Sequence, residues 1–113
     1  MAVLSKSNGE RIRELNDSFR QTFVGGRVIV TAGVDALSPR VEVKVLQQVQ
    51  QFDHFDRDND PQGEHDFGSF DVEGQRFFFK IDYYDLEMEG GSEDPADPSK
   101  TARVLTVMKA EEY

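Results

Sequence analysis

The chain has 113 residues and no Cys, which allows one domain and excludes disulfides, thiolate metal sites and cysteine nucleophiles. Hydrophobic residues make up 37% and charged residues 31%, and nine Phe with three Tyr supply the apolar volume that a disordered chain lacks. The formal charge of −9 is unevenly placed: residues 1–52 hold five acids and seven Lys/Arg, residues 53–113 seventeen acids and six Lys/Arg, so direct binding to a nucleic-acid backbone is disfavoured, and a basic protein partner, a cation or the protein's own basic half could meet this acidity.

Residues 1–10 carry no apolar run of signal-peptide length, and no stretch approaches a membrane span, so the cytoplasm is the expected compartment and no membrane partner is expected. Residues 1–7 read as a flexible N-terminus and 8–113 as a single domain. Ile12, Leu15, Phe19 and Phe23 form an apolar stripe at spacings of three and four, which predicts a helix over 8–23. Ser7 or Asn8 caps its start and Gly25-Gly26 ends it. Arg13, Asp17 and Arg20 fall on the opposite face and read as solvated surface. Val28 to Thr31 is a β-branched run, a strand suited to burial on both faces, and a turn through Gly33 follows. Ser38-Pro39 opens a second helix over 39–52, with Val41, Val45, Val49 and Phe52 as its stripe and Leu46 beside them.

Residues 53–63 lack periodicity and are rich in turn formers, so they read as a loop. A hairpin over Glu64 to Asp85 follows, with Glu73-Gly74 as a two-residue turn. Counting from that turn pairs Phe70 with Phe77, Gly68 with Phe79 and Asp66 with Ile81 on a core side that also holds Val72 and Tyr83. The other side pairs Asp71 with Arg76, Ser69 with Phe78, Phe67 with Lys80 and His65 with Asp82. Asp66 is awkward on the core side: either the strand begins after it, or it is buried against a partner such as Arg27. Residues 86–100 form a second acidic loop. Arg103 to Lys109 fits a strand, which would complete the sheet, or a helix. The expected fold is α+β, two helices on one face of a small, mainly antiparallel sheet of about four strands in the order α-β-α-β-β-β.

The strings Glu64-His65-Asp66-Phe67-Gly68, Lys80-Ile81-Asp82-Tyr83-Tyr84-Asp85, Asn59-Asp60-Pro61, Asp94-Pro95-Ala96-Asp97-Pro98 and Arg103-Val104-Leu105-Thr106 are the most distinctive in the chain. With Leu15-Asn16-Asp17 and Thr31-Ala32-Gly33-Val34 they resemble, over about residues 10–113, a family of small bacterial proteins classed as a domain of unknown function. That resemblance implies a bacterial cytosolic protein in an alphaproteobacterial, mobile-element setting. It supplies no activity, cofactor or catalytic residue.

Four constellations compete. Asp56, Asp58 and Asp60 alternate as in the first half of a calcium loop, but Pro61 stands where that loop needs Gly and no Glu stands at the twelfth position. His65, Asp82 and Glu64, with His54, Asp66 and Asp85 nearby, offer a hydrolytic acid–base set with or without a metal. No nucleophile motif, phosphate loop or cofactor motif accompanies them. Phe67, Phe78, Lys80, Asp82 and Tyr84 form a mixed aromatic and charged face suited to binding another protein. The acidic half could also imitate a nucleic-acid backbone and occupy the basic groove of a DNA- or RNA-handling protein. The favoured expectation is a non-enzymatic accessory protein binding another protein, with the hydrolase as alternative. An exposed last strand would also allow a homodimer.

Overall fold

A computed structural model describes residues 7–113. The expected flexible segment 1–7 lies outside these residues except for Ser7. Helix α1 spans Asn8–Thr22, and the Ser7 side chain caps it by accepting from the Glu10 backbone. Its end comes at Phe23, which takes the left-handed conformation (φ 59°), two residues before the Gly pair. Strand β1 is Arg27–Val30. The region expected as a turn through Gly33 is one helical turn, α2, Ala32–Asp35. Helix α3 is Pro39–Gln51, capped by the Ser38 hydroxyl with Pro39 at its first position. Strands β2 (Phe67–Val72), β3 (Gln75–Tyr84) and β4 (Ala102–Lys109) follow.

The fold is α+β, with three helices and a four-stranded sheet in the order β1-β4-β3-β2. The sheet is mixed, because β1 runs parallel to β4 while β4, β3 and β2 alternate antiparallel. Arg103 to Lys109 lies within the last strand, and that strand is interior, hydrogen-bonded on both sides. The proposed dimer through an exposed last strand therefore has no free edge to use.

The hairpin register is the one that counting predicts, from Phe67 opposite Lys80 to Asp71 opposite Arg76. Glu73 and Gly74 have φ of 48° and 79°, positive at both turn positions as a type I′ hairpin requires. Phe70, Val72, Phe77, Phe79 and Ile81 accordingly join Leu105 and Val107 in one core with Phe19, Val34, Val45, Val49 and Phe52 of the helical layer. Burying one such side chain contributes about 1.5–3 kcal/mol. Strand β1 is not buried on both faces: Arg27 and Ile29 are exposed while Val28 and Val30 face the core. The reason is positional. It is an edge strand, and the helices cover only one side of the sheet.

Gly68 is covered by two aromatic rings, that of its cross-strand partner Phe79 and that of Phe52 from the helical layer. A Cβ there would lie 2.2 Å from the Phe79 ring and 2.8 Å from that of Phe52, so the Phe79 ring occupies the space a side chain would need. Gly68→Ala should destabilise the fold by about 1–3 kcal/mol through overpacking, read as a lower urea midpoint with unchanged slope.

Candidate functional site

Two polar regions flank the core. The first joins α1 to the loops. Asn16 is fully buried within the apolar stripe of α1. Its Nδ2 donates to the Glu64 carbonyl (3.0 Å) and to the Tyr83 hydroxyl (2.7 Å), and its Oδ1 accepts from Arg103 Nε (2.9 Å). The Tyr83 hydroxyl donates onward to Glu64 Oε1 (2.9 Å). Arg103 lies over the Tyr83 ring and also donates to the Pro95 carbonyl. Burial pushes the Tyr83 hydroxyl far above its ordinary range, with the Glu64 carboxylate adding to the shift, and burial lowers Arg103. These groups satisfy one another where water is excluded.

Arg20, expected on the solvated face, is 2% exposed. Its guanidinium donates to Asp17 (2.9 Å) and to the Phe52 carbonyl (3.1 Å), and lies over the rings of Phe55 and Phe79. The loop 53–66 supplies an aromatic platform for the guanidinium, which periodicity on α1 alone does not reveal.

His65 sits in the same joint. It has φ of 56°, and its N–H is held by the Asp60 carboxylate (3.2 Å). This turns the chain out of strand alternation one residue before Asp66, whose carbonyl is the last acceptor from Ile81. The imidazole therefore lies on the helix side, stacked on Phe55 at 3.9 Å. Its Nδ1 is 2.8 Å from Asp17 and its Nε2 3.7 Å from Asp60. The expected His65–Asp82 pair does not form, since Asp82 pairs with Lys80 at 2.9 Å. His65, Asp82 and Glu64 thus have three different sets of hydrogen-bond and ion-pair partners. His54 is exposed beside Asp53, and Asp85 accepts from Glu89 and Gly90 backbone N–H groups.

The alternating acids of the first loop are turn builders. Asp56 Oδ1 accepts from the N–H groups of Asp58 and Asn59, and Asp60 Oδ1 from those of Glu64 and His65. Among the described residues no group of three or more His, Asp or Glu side chains is placed to hold a metal ion. Strand β2 starts at Phe67, which resolves the Asp66 question in favour of a strand that begins after it. Other carboxylates are also engaged within the chain: Glu73 with Arg40 and Lys44, Asp71 with Arg76, and Glu112 with Thr31 and the Gly33 N–H.

The second region is the sheet face opposite α1, α2 and α3, on which Val104 and Met108 of β4 are nonetheless buried, 5% and 3% exposed. Register places Phe78, Lys80, Asp82 and Tyr84 of β3 on it, with Phe67 and Asp71 of β2, Val104, Thr106 and Met108 of β4, and Arg27 and Ile29 of β1. Phe67, Phe78 and C-terminal Tyr113 form an aromatic cluster with centroids 5.3–6.1 Å apart. At the Val104 end, Leu86 and Met88 line with Gly25–Arg27 a depression of about 360 Å³. The expected surface residues Phe67, Phe78, Lys80, Asp82 and Tyr84 thus share one face, each half-buried.

Sequence reasoning missed Asn16, Arg20, Arg103, Tyr113 and the Leu86/Met88 pair. One signal was present for Asn16: it stands four residues after Ile12 and three before Phe19, a polar residue inside a helical apolar stripe.

The structure defines an α+β domain with its helices on one side of a mixed sheet, a buried polar joint and one open sheet face. The chain belongs to the family described as "Protein of unknown function (DUF3768)", which matches residues 30–112 and so leaves α1 outside the matched region. No curated protein and no solved structure matches the chain. No helix among the described residues is long and apolar enough to cross a membrane.

Two variants test the joint. Asn16→Leu keeps apolar volume but strips Arg103 Nε of its acceptor, and should cost about 2 kcal/mol or more in urea unfolding. Asp66 is shifted upward, first by burial and then by the carboxylates of Glu64, Asp60 and Asp82. A raised carboxyl favours its protonated form in the folded state, so ionised Asp66 opposes folding once pH rises above the unfolded value of about 3.9. Asp66→Asn should therefore raise Tm at pH 7, with the gain over wild type vanishing as pH falls to about 4.

Proposed function

We propose that this chain is a non-enzymatic accessory protein of a bacterial cell that binds a protein partner through the open face of its sheet. One observation carries the reading. Of the six large hydrophobic side chains exposed among the described residues, Ile29 and Tyr113 stand on that face and Leu86 and Met88 border it. Val24 and Val43 lie elsewhere. Apolar side chains gathered on one uncovered face beside half-buried aromatics and a Lys–Asp pair have the composition of a binding surface.

The geometry favours this over the other readings. A hydrolase built on His65, Asp82 and Glu64 needs those groups at one reacting centre, and they point to different partners. A nucleic-acid mimic needs unengaged carboxylates in phosphate-like array. Here carboxylates are taken up by backbone N–H groups in both loops and by Arg20, Arg40, Lys44, Arg76 and Lys80. A strongly basic partner is likewise not called for, because the open face carries both signs.

Affinity capture on the purified protein tests the reading. A partner of the open face should be held by wild type, lost on Ile29→Arg or Leu86→Glu, and retained by Val43→Glu, an exposed control on α3. Binding should survive about 1 M salt, where screening reduces the Debye length to about 3 Å. Equal capture by all four proteins would remove the face from consideration.

A further inference from the structure

We propose that the occupant of the open face is a second copy of this chain, docked sheet to sheet about a two-fold axis. The inference rests on the preceding reading of that face and names its partner. The strand β3 presents Phe78, Lys80, Asp82 and Tyr84 in a row along the open face: aromatic, cation, anion, aromatic. Same-face neighbours on a strand stand about 6.6–6.8 Å apart, so the row is symmetric in apolar character and opposite in charge about its centre.

A two-fold axis lying between the two faces, perpendicular to β3 at the level of Ile81, reverses the strand. It sets Lys80 of one copy against Asp82 of the other, and Phe78 against Tyr84. This is the self-complementarity that an isologous interface demands, each residue meeting the partner that in turn meets it. Lys80 and Asp82 already pair within one copy at 2.9 Å, so docking exchanges the two internal pairs, one in each copy, for two pairs between copies and strands no charge.

Exposed apolar groups flank the centre at both ends. Tyr113 stands at the Phe78 end, 5.6 Å from that ring, while Leu86 and Met88 stand at the Val104 end, beyond which lies Tyr84. That axis sets each strand over its own counterpart, so the 75% exposed Tyr113 stays on the β2–β3 side of the contact and the 59% exposed Leu86 on the β1–β4 side. The local charge of the face, not the net charge of the chain, is what admits a like partner. The whole chain carries −9, which opposes self-association elsewhere on the surface. Along its strands the open face holds three cations, Arg27, Arg76 and Lys80, against two carboxylates, Asp71 and Asp82, a local balance unlike that of the whole chain. The two sheets would pack about 10 Å apart with strands about 30° off parallel.

Charge exchange at the centre tests this by sedimentation equilibrium across a concentration series. Wild type should be a dimer. Lys80→Asp and Asp82→Lys each place like charges opposite one another and should weaken self-association by at least about tenfold. Mixed in equal amounts the two variants should recover the dimer as a heterodimer, and the double exchange should dimerise as wild type does. Unchanged far-UV dichroism and Tm separate lost docking from lost folding. A wild type that stays monomeric overturns the inference, as does a dimer indifferent to both exchanges. A monomeric wild type that still captures a partner sensitive to Ile29→Arg would leave the open face as a binding surface and remove only the second copy. Loss of both dimer and sensitivity would remove the face itself.

Discussion

The arrangement of both faces depends on one two-residue turn. Glu73 and Gly74 both adopt positive φ, and that geometry matches the right-handed twist of the strands it joins. Side chains alternate with period two, so a slip of one residue would send Phe77, Phe79 and Ile81 to solvent and Lys80 and Asp82 into the core. Glycine takes a left-handed conformation freely, but Glu73 does not. Its carboxylate is held by Arg40 at 2.9 Å and Lys44 at 3.2 Å from α3, which also lowers its pKa. Exposed pairs contribute at most about 1 kcal/mol each. Their effect here is directional, fixing the turn against the helix that covers its strands.

The opposite end of the sheet is organised by polar groups instead. Loops 53–66 and 85–101 have few backbone ladders to draw on, and Asp side chains take the place of carbonyl acceptors at Asp56, Asp60, Asp85, Asp94 and Asp97. That accounts for much of the acidity. The carboxylates build turns, and the loops then close over α1 through Asn16, Arg20 and Arg103. Burying these groups is tolerable only because each finds several partners. Arg20 Nε is the exception, buried with no partner among the described residues.

What could be read from the sequence divides along the same line. The hairpin register and the core stripes of α3 follow from local periodicity and turn chemistry, and the structure has them as read; local pattern at Arg103 to Lys109 fits a helix as well as a strand, and the structure makes it a strand. The five expected surface residues share one face because alternation places them there. The misplaced residues are those whose surroundings come from distant segments. Arg20 lies on the polar side of its helix by spacing, yet Phe55 and Phe79 cover it. His65 continues the alternation of β2 on paper, but Asp60 captures its N–H and reverses its side. The parallel pairing of β1 with β4 joins residues 77 positions apart, such as Arg27 and Val104, and no local pattern announces it.

The two polar regions have opposite physical character, and this separates stability from recognition. In the joint, donors and acceptors are satisfied internally, so a ligand there would have to break bonds such as Asn16–Tyr83 or His65–Asp17 that already link the layers. At the centre of the open face Lys80 pairs with Asp82 within a single strand, and exchanging that pair for an equivalent one across an interface would break no link between strands or layers. Aromatic groups there are only half-buried, so further apolar area remains to be withdrawn from water. The joint has little to gain from a partner. The open face has apolar area to bury and a charge pair it can re-form, and the proposed binding reading rests on that difference between the two regions.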